Sequence, residues 1–193
     1  MIAYIREQAK PPDKFSHQDR LYRMAKQLAE EEAFDDDVLF GAAWLHDLGV
    51  FIGHRPEDLS ALAVWDHVSY AMGKSPALLE RFGFPEHKIP AVVEAIRTHL
   101  PSREPTAFEG RLIRDADILE QLGAIGVLRT VSKIGRDTRF ILFGDALGAL
   151  RRNVEQLPGQ LLLDSARRLA GHRVDFLRAF LAAAEAEGTG CER

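Results

Sequence analysis

Apolar residues recur every three or four positions along most of the chain, which is the spacing of one face of an α-helix. The alternation of apolar and polar residues that marks a half-buried strand is not evident, and no hairpin signal stands out. The pattern therefore predicts an all-α fold. The predicted helices span about 16–33, 38–45, 56–72, 75–82, 88–99, 108–126, 146–156 and 161–187.

We expect a single domain, a helical bundle over residues 1–193, because the sequence contains no internal repeat and no linker. A chain of 193 residues buries about 70 % of its unfolded surface on folding, so it can hold polar groups in a dry interior. The motifs described below occupy about 14–135. Helices over about 140–187 are expected to complete the bundle.

Charge and composition exclude several classes of protein. The net charge is −4, with 25 basic and 29 acidic residues mixed along the chain, which argues against general nucleic-acid binding. Residues 1–14 lack the apolar stretch of a signal peptide, and no segment approaches the roughly 20 apolar residues of a membrane span. The single cysteine, Cys191, rules out a disulfide framework and fits a reducing cytoplasm. We therefore expect a cytoplasmic protein in which nitrogen and oxygen atoms hold any metal.

The most informative feature is the recurrence of histidine and aspartate on the apolar sides of the predicted helices. Leaving such groups buried without partners would cost about 1–3 kcal/mol each. A divalent cation shared between them would satisfy all of them at once. The alternative is that each is a separate core group, for example a histidine hydrogen-bonded to a helix-capping aspartate. The residues concerned are His17, His46 with the adjacent Asp47, His67, His99 and Asp117.

Other polar motifs are weaker candidates for a site. His54, His87 and His172 lie beside glycine or in turns, and we interpret them as surface or structural residues. The sequence 73–75 ends like a phosphate-binding loop but lacks that motif's first glycine. The basic stretch 129–139 is either a solvated face or a contact for anionic substrate groups.

The order of these motifs resembles the HD-domain superfamily of metal-dependent phosphohydrolases, over roughly residues 14–135. The segment 42–49, which contains His46-Asp47, is similar to the superfamily's second helix, and 115–120 is similar to the helix that carries the last ligand. The resemblance implies an α-helical domain with one divalent cation. Its ligands would be His17, His46, Asp47 and Asp117.

The same resemblance assigns two roles to the remaining histidines. His67 and His99 match the extra histidines of members with a two-metal centre, whereas in one-metal members such residues meet the substrate phosphate. The cofactor is thus one or two divalent ions, drawn from Fe, Mn, Co, Ni, Zn and Mg. The glutamate that follows His-Asp in many nucleotidase members is missing here, where Leu48-Gly49-Val50-Phe51 follows.

The function implied is hydrolysis of a small phosphorylated metabolite or nucleotide. A cation lowers the pKa of bound water and polarises a phosphoryl oxygen. Asp47 would bridge two metals or orient the water, and His67 or His99 would protonate the leaving oxygen where not occupied as a ligand. Arg20, one turn after His17, is a candidate phosphate contact or else a surface salt-bridge residue.

Two other functions fit the same residues. Some members of the superfamily with the six-ligand set use a di-iron centre to oxidise small diols or phosphonates with oxygen. A non-catalytic metal- or ligand-binding module is the second alternative. The pattern of residues names neither the substrate nor the oligomeric state, because the pocket is formed by side chains from several helices.

Overall fold

The computed structural model describes residues 1–137 and 139–188, apart from the side chain of Asp13. Over these residues the fold is all-α, and no strand is present beyond an isolated bridge between Ile52 and Arg55. The all-α prediction is therefore confirmed. Within the same residues, no helix is long and apolar enough to cross a membrane. Cys191 lies outside the described residues.

The residues divide into two compact units, Met1–Ala116 and a second that begins at Asp117. The single-domain organisation stays a prediction. Helix α7 begins in the first unit and ends in the second. The helices that begin in the first unit are α1 Ile2–Gln8, α2 Asp13–Ala29, α3 Asp36–Leu45, α4 Leu59–Ala63, α5 His67–Arg81, α6 Ile89–Thr98 and α7 Phe108–Glu120.

Helix α3 is central to the first unit and packs against α2 and α6. All of its residues from Val38 to Leu45 are buried except Phe40, which is half-buried. The carboxylate of Asp35 begins the helix by accepting hydrogen bonds from the N–H groups of Asp37 and Val38. A largely apolar helix with a strong N-cap thus delivers His46 and Asp47 into a dry interior.

The helices between residues 56 and 82 differ from the prediction. A helix over 56–72 and a second over 75–82 are wrong, because α4 ends at Ala63 and α5 runs unbroken from His67 to Arg81. The carboxylate of Asp66 starts α5 by accepting hydrogen bonds from the N–H groups of Val68 and Ser69. Pro76 lies inside α5 rather than before a new helix.

In the second unit, α8 Gly123–Val131 and α9 Phe143–Gln156 pack against each other and against α10 Asp164–Glu187. The single helix predicted over 108–126 is wrong, because it divides into α7 and α8. Gly123 has a φ of +68°, a left-handed conformation that glycine adopts most readily. A Cβ there would lie 3.1 Å from Cβ of Arg173 on α10. Helix α10 therefore packs closely against Gly123.

Candidate metal centre

The His46 side chain presents a single free nitrogen to the interior. Its Nδ1 lies 3.0 Å from the carbonyl oxygen of Ala43, and with a proton on Nδ1 it donates to that oxygen. The lone pair is then on Nε2. This Nε2 is buried and has no hydrogen-bond partner within the described residues. A buried imidazole nitrogen with an unused lone pair is a suitable ligand for a divalent cation.

His17 and His46 flank the carboxylate of Asp47. Nε2 of His17 lies 3.7 Å from Oδ2 of Asp47, and Nε2 of His46 lies 3.8 Å from Oδ1. Both distances exceed those of direct hydrogen bonds. Two ligands bonded at about 2.1 Å to one ion stand roughly 3.0–4.2 Å apart, depending on their angle, so both separations fit a shared cation.

A second group of ligand atoms is centred on the same carboxylate. One atom each from Asp47, His67 and His99 lies within 4.8 Å of the other two. His67 is the first residue of α5, and His99 directly follows α6. Nδ1 of His99 lies 2.6 Å from the carbonyl oxygen of Ile96, and when it donates there Nε2 is the nitrogen that carries the lone pair.

These residues come from four separate places in the chain, yet their rings lie close together. The ring centroids of His46 and His17 are 5.3 Å apart, and those of His46 and His99 are 5.1 Å apart. The centroid of His67 lies 6.0 Å from that of His99. The first unit therefore brings together five of the six ligands predicted from the sequence.

The electrostatic surroundings keep Asp47 ionised. Burial, which leaves the Asp47 side chain 13 % exposed, opposes ionisation of the carboxyl, but electrostatic interactions with neighbouring basic side chains outweigh the effect of burial. The pKa of Asp47 is held well below its usual range. In order of effect, these groups are His46, His17, Lys14 and His99. The carboxylate is thus available as a metal ligand at neutral pH.

Lys14 is a contributor to the site that the sequence analysis missed. It lies on α2 three residues before His17, so the two side chains share one side of the helix. Its charge lowers the pKa of Asp47. The three-residue spacing from His17 was the available signal, but a single lysine at that distance is common on helix surfaces.

Asp117, the remaining predicted ligand, is the first residue of the second unit and lies near the end of α7. Its side chain is 14 % exposed. Its Oδ1 lies 3.8 Å from Nη1 of Arg129, and its Oδ2 accepts a hydrogen bond of 3.3 Å from Gln121. Its role as a ligand stays a prediction.

The basic stretch 129–139 does not present a continuous set of unpaired cations. Nη1 of Arg129 lies 3.6 Å from Oε2 of the buried Glu120. The guanidinium of Arg139 donates two hydrogen bonds to Asp137. Glu120 and Asp137 therefore already compensate these two arginines within the second unit.

Arg20 lies on α2, one turn after His17, and is half-buried. Its Nη1 donates a hydrogen bond of 2.9 Å to the hydroxyl of Ser16. Its role in phosphate contact stays a prediction.

From the sequence, His54, His87 and His172 are expected to be surface or structural residues. Among the described residues, neither group of potential ligands includes them. His87 and His172 are exposed. His54 is half-buried, with Nδ1 3.0 Å from the hydroxyl of Tyr70 and Nε2 2.8 Å from the side-chain oxygen of Gln8. This pairing fits a structural role for His54.

Comparison with known families identifies the chain. The family model of the HD domain matches residues 15–122, which is more than half of the chain and contains all six predicted ligands. The chain belongs to the HD-domain family. The protein YpgQ of Bacillus subtilis is 28 % identical over 188 residues, covering 91 % of this chain and 84 % of YpgQ.

Solved structures of other proteins share the HD fold. A predicted HD-superfamily hydrolase from an uncultured Thermotogales bacterium is 26 % identical, with a TM-score of 0.65 over 96 % of this chain and 90 % of the other. The structure of B. subtilis YpgQ in complex with ADP has a TM-score of 0.70 at 20 % identity, covering 99 % of this chain and 97 % of the other. The HD fold is thus shared over nearly the whole chain.

Proposed function

We propose that this protein is a metal-dependent phosphohydrolase that acts on a small phosphorylated metabolite or nucleotide. The observation that carries the proposal is the position of the Asp47 carboxylate. It lies between Nε2 of His17 and Nε2 of His46, and it also belongs to the group formed with His67 and His99. A carboxylate with two oxygens can bridge two ions, which is the arrangement of two-metal phosphoryl-transfer sites.

The proposed ligands divide into two sets that share Asp47. His17, His46 and Asp47 would hold the first ion together with Asp117, which the family resemblance supplies. His67 and His99 would hold the second ion with Asp47. The fit rests on the chemistry of the ligands. Hydrogen bonds from Nδ1 of His46 and of His99 to backbone carbonyls would leave the lone pair of each ring on Nε2, and Nε2 of His46 has no hydrogen-bond partner within the described residues.

Each protein group then has a defined task. A divalent cation at such a site lowers the pKa of bound water and polarises a phosphoryl oxygen. Asp47 would orient the attacking water, because its ionised carboxylate accepts hydrogen bonds. Lys14 would bring positive charge toward the anionic phosphate. If only one ion binds, His67 or His99 would be free to protonate the leaving oxygen.

The proposed substrate class is a small molecule with a phosphate group. YpgQ, which shares the fold, has been solved in complex with ADP, and this supports a nucleotide as one candidate ligand for the present chain. Arg20 lies one turn along α2 from His17 and would contact a phosphate oxygen from that side. A divalent metal and a small phosphorylated ligand are thus the expected cofactor and partner.

The test is phosphate release from a panel of nucleoside mono-, di- and triphosphates and small phosphate esters. The protein is stripped of metal, reloaded with Mn²⁺, Co²⁺ or Mg²⁺ and assayed without oxygen. We expect metal-dependent release that falls at least 100-fold in Asp47→Asn. Asp58→Asn is the matched control, because Asp58 is an exposed carboxylate that caps α4.

Two outcomes would contradict a phosphohydrolase. Turnover that requires iron and oxygen and releases no phosphate would instead identify the di-iron oxygenase. Absence of metal uptake, with ligand binding retained, would identify a binding module. Phosphate release that Asp47→Asn leaves unchanged would show that the activity does not come from this site.

A further inference from the structure

We propose that Gly49 is a positioning residue for the second ion, because it allows the turn that carries Asp47 to lie directly against the backbone of His67. The inference rests on the proposed two-metal function. It adds a residue that neither binds metal nor touches substrate but sets the distance between two ligands.

The contact between Gly49 and His67 leaves no room for a side chain. A Cβ on Gly49 would lie 2.6 Å from the carbonyl oxygen of His67, 2.8 Å from its Cα and 3.0 Å from its Cβ. Two of these three atoms are backbone, so no rotation of a flexible side chain would relieve the overlap. Accommodating a methyl group would require a displacement on the order of 1 Å.

The contact lies next to two proposed metal ligands, so it affects the distance between them. Gly49 is two residues after Asp47, in the 3₁₀ turn Leu48–Val50, and this turn packs against α5, which begins at His67. Moving the two backbones apart therefore separates a carboxylate from an imidazole that would share one ion. Bonds to a metal tolerate deviations of only about 0.2 Å, several times less than the expected displacement.

Three further hydrogen bonds hold the same junction. The indole N–H of Trp65 donates a hydrogen bond of 2.8 Å to the carbonyl oxygen of Gly49. The Asp66 carboxylate accepts from the N–H groups of Val68 and Ser69, which fixes the start of α5 at His67. The segment just before His67 is thus tied both to the turn and to its own helix.

The experiment is a titration of the metal-free full chain with Co²⁺, followed by visible absorption and by elemental analysis. We expect Gly49→Ala to lower the affinity for the second ion at least tenfold, while the affinity for the first ion stays as in the wild type. Gly73→Ala is the matched control. Gly73 lies on α5, and no atom lies within 4 Å of the place that an added methyl group would occupy, so both ions should bind normally.

Trp65→Phe is a second variant that keeps the test decisive if Gly49→Ala does not fold. It retains an aromatic ring but loses the N–H that bonds Gly49, and we expect the second ion to bind at least threefold more weakly. Wild-type affinity for both ions in folded Gly49→Ala, or in Trp65→Phe where the glycine variant fails to fold, would overturn the inference. An equal loss of both ions would also overturn it, since that would indicate general disruption.

His67→Ala separates this inference from the function on which it rests. If His67→Ala loses the second ion and Gly49→Ala keeps it, the two-metal function stands and only the role of Gly49 fails. If His67→Ala keeps both ions at wild-type affinity, the two-metal function fails, and the positioning role fails with it.

Discussion

Nε2 of His17, on α2, lies 3.7 Å from Oδ2 of Asp47, which lies between the end of α3 and the turn Leu48–Val50. The separation is too long for a hydrogen bond and fits two ligands of one ion. The His17 side chain is only 3 % exposed, so the pair lies in the interior of the first unit. The separation is the one expected if the proposed first ion binds both groups.

Gln18, the residue after His17, places a polar amide group in the core, and replacing it should change the stability of the fold. Both polar atoms of its buried side chain lack hydrogen-bond partners within the described residues. We expect Gln18→Met to raise the free energy of unfolding of the metal-free protein by about 1 kcal/mol, because it removes two unsatisfied groups at similar volume. Urea denaturation measures the change.

Gln27→Met is the control for that substitution, since Gln27 is exposed on the same helix and should change stability by less than about 0.5 kcal/mol. A clear loss of stability in Gln18→Met would show that the amide has polar partners, such as ordered water.

The break between α7 and α8 should depend on the packing of Gly123 as well as its backbone conformation. Gly123→Ala should lower the free energy of unfolding by about 1 kcal/mol because of the positive φ. The contact with Arg173 should lower it by a further amount of about 1–3 kcal/mol. Gly135 has a similar φ of +72° with nothing within 4 Å, so Gly135→Ala should incur the backbone cost alone. Equal losses in thermal or urea unfolding would refute the packing contribution.

His54 should make stability fall as the pH is lowered. Burial and the charge of Lys74 lower the pKa of His54 from its usual value near 6.5. The unfolded chain therefore takes up this proton before the folded one does, so the free energy of unfolding decreases as pH falls through about 6.5. Protonation would also prevent Nδ1 from accepting the Tyr70 hydroxyl hydrogen bond.

Urea unfolding of metal-free protein between pH 7.5 and 5.5 would measure this dependence. His54→Gln removes the titrating group, so its stability should decline less steeply over that range. Parallel curves for the two proteins would assign the pH dependence to other groups.

The parts of the fold that sequence could predict were those with a strong local pattern. The apolar run before His46 led to the predicted helix over 38–45, and the structure has α3 at Asp36–Leu45 with Asp35 as its N-cap. The start of α5 was missed because Ala63 and Val64 appeared to continue an apolar stripe toward His67. In the structure both are exposed, and the hydrogen bonds of Asp66 begin a new helix instead.

The candidate site was predictable as a set of residues but not as a geometry. Spacing placed His46 and His99 on buried sides of their helices, and both are buried. That they meet His17, His67 and Asp47 depends on how α2, α3, α5 and α6 pack, and periodicity carries no information on packing. The expectation that these residues share one site came from the resemblance to HD proteins. The contact between Gly49 and His67 had no signal beyond a glycine after His-Asp.

The metal content of the protein tests the central claim most directly. Elemental analysis of metal-loaded wild type, Asp47→Ala and the control Asp58→Ala gives ions per chain, with circular dichroism as the check on folding. One ion per wild-type chain would leave His67 and His99 free to face the substrate. The account predicts about two ions in the wild type and in Asp58→Ala, and loss of both in a folded Asp47→Ala. Full metal content in Asp47→Ala would contradict it.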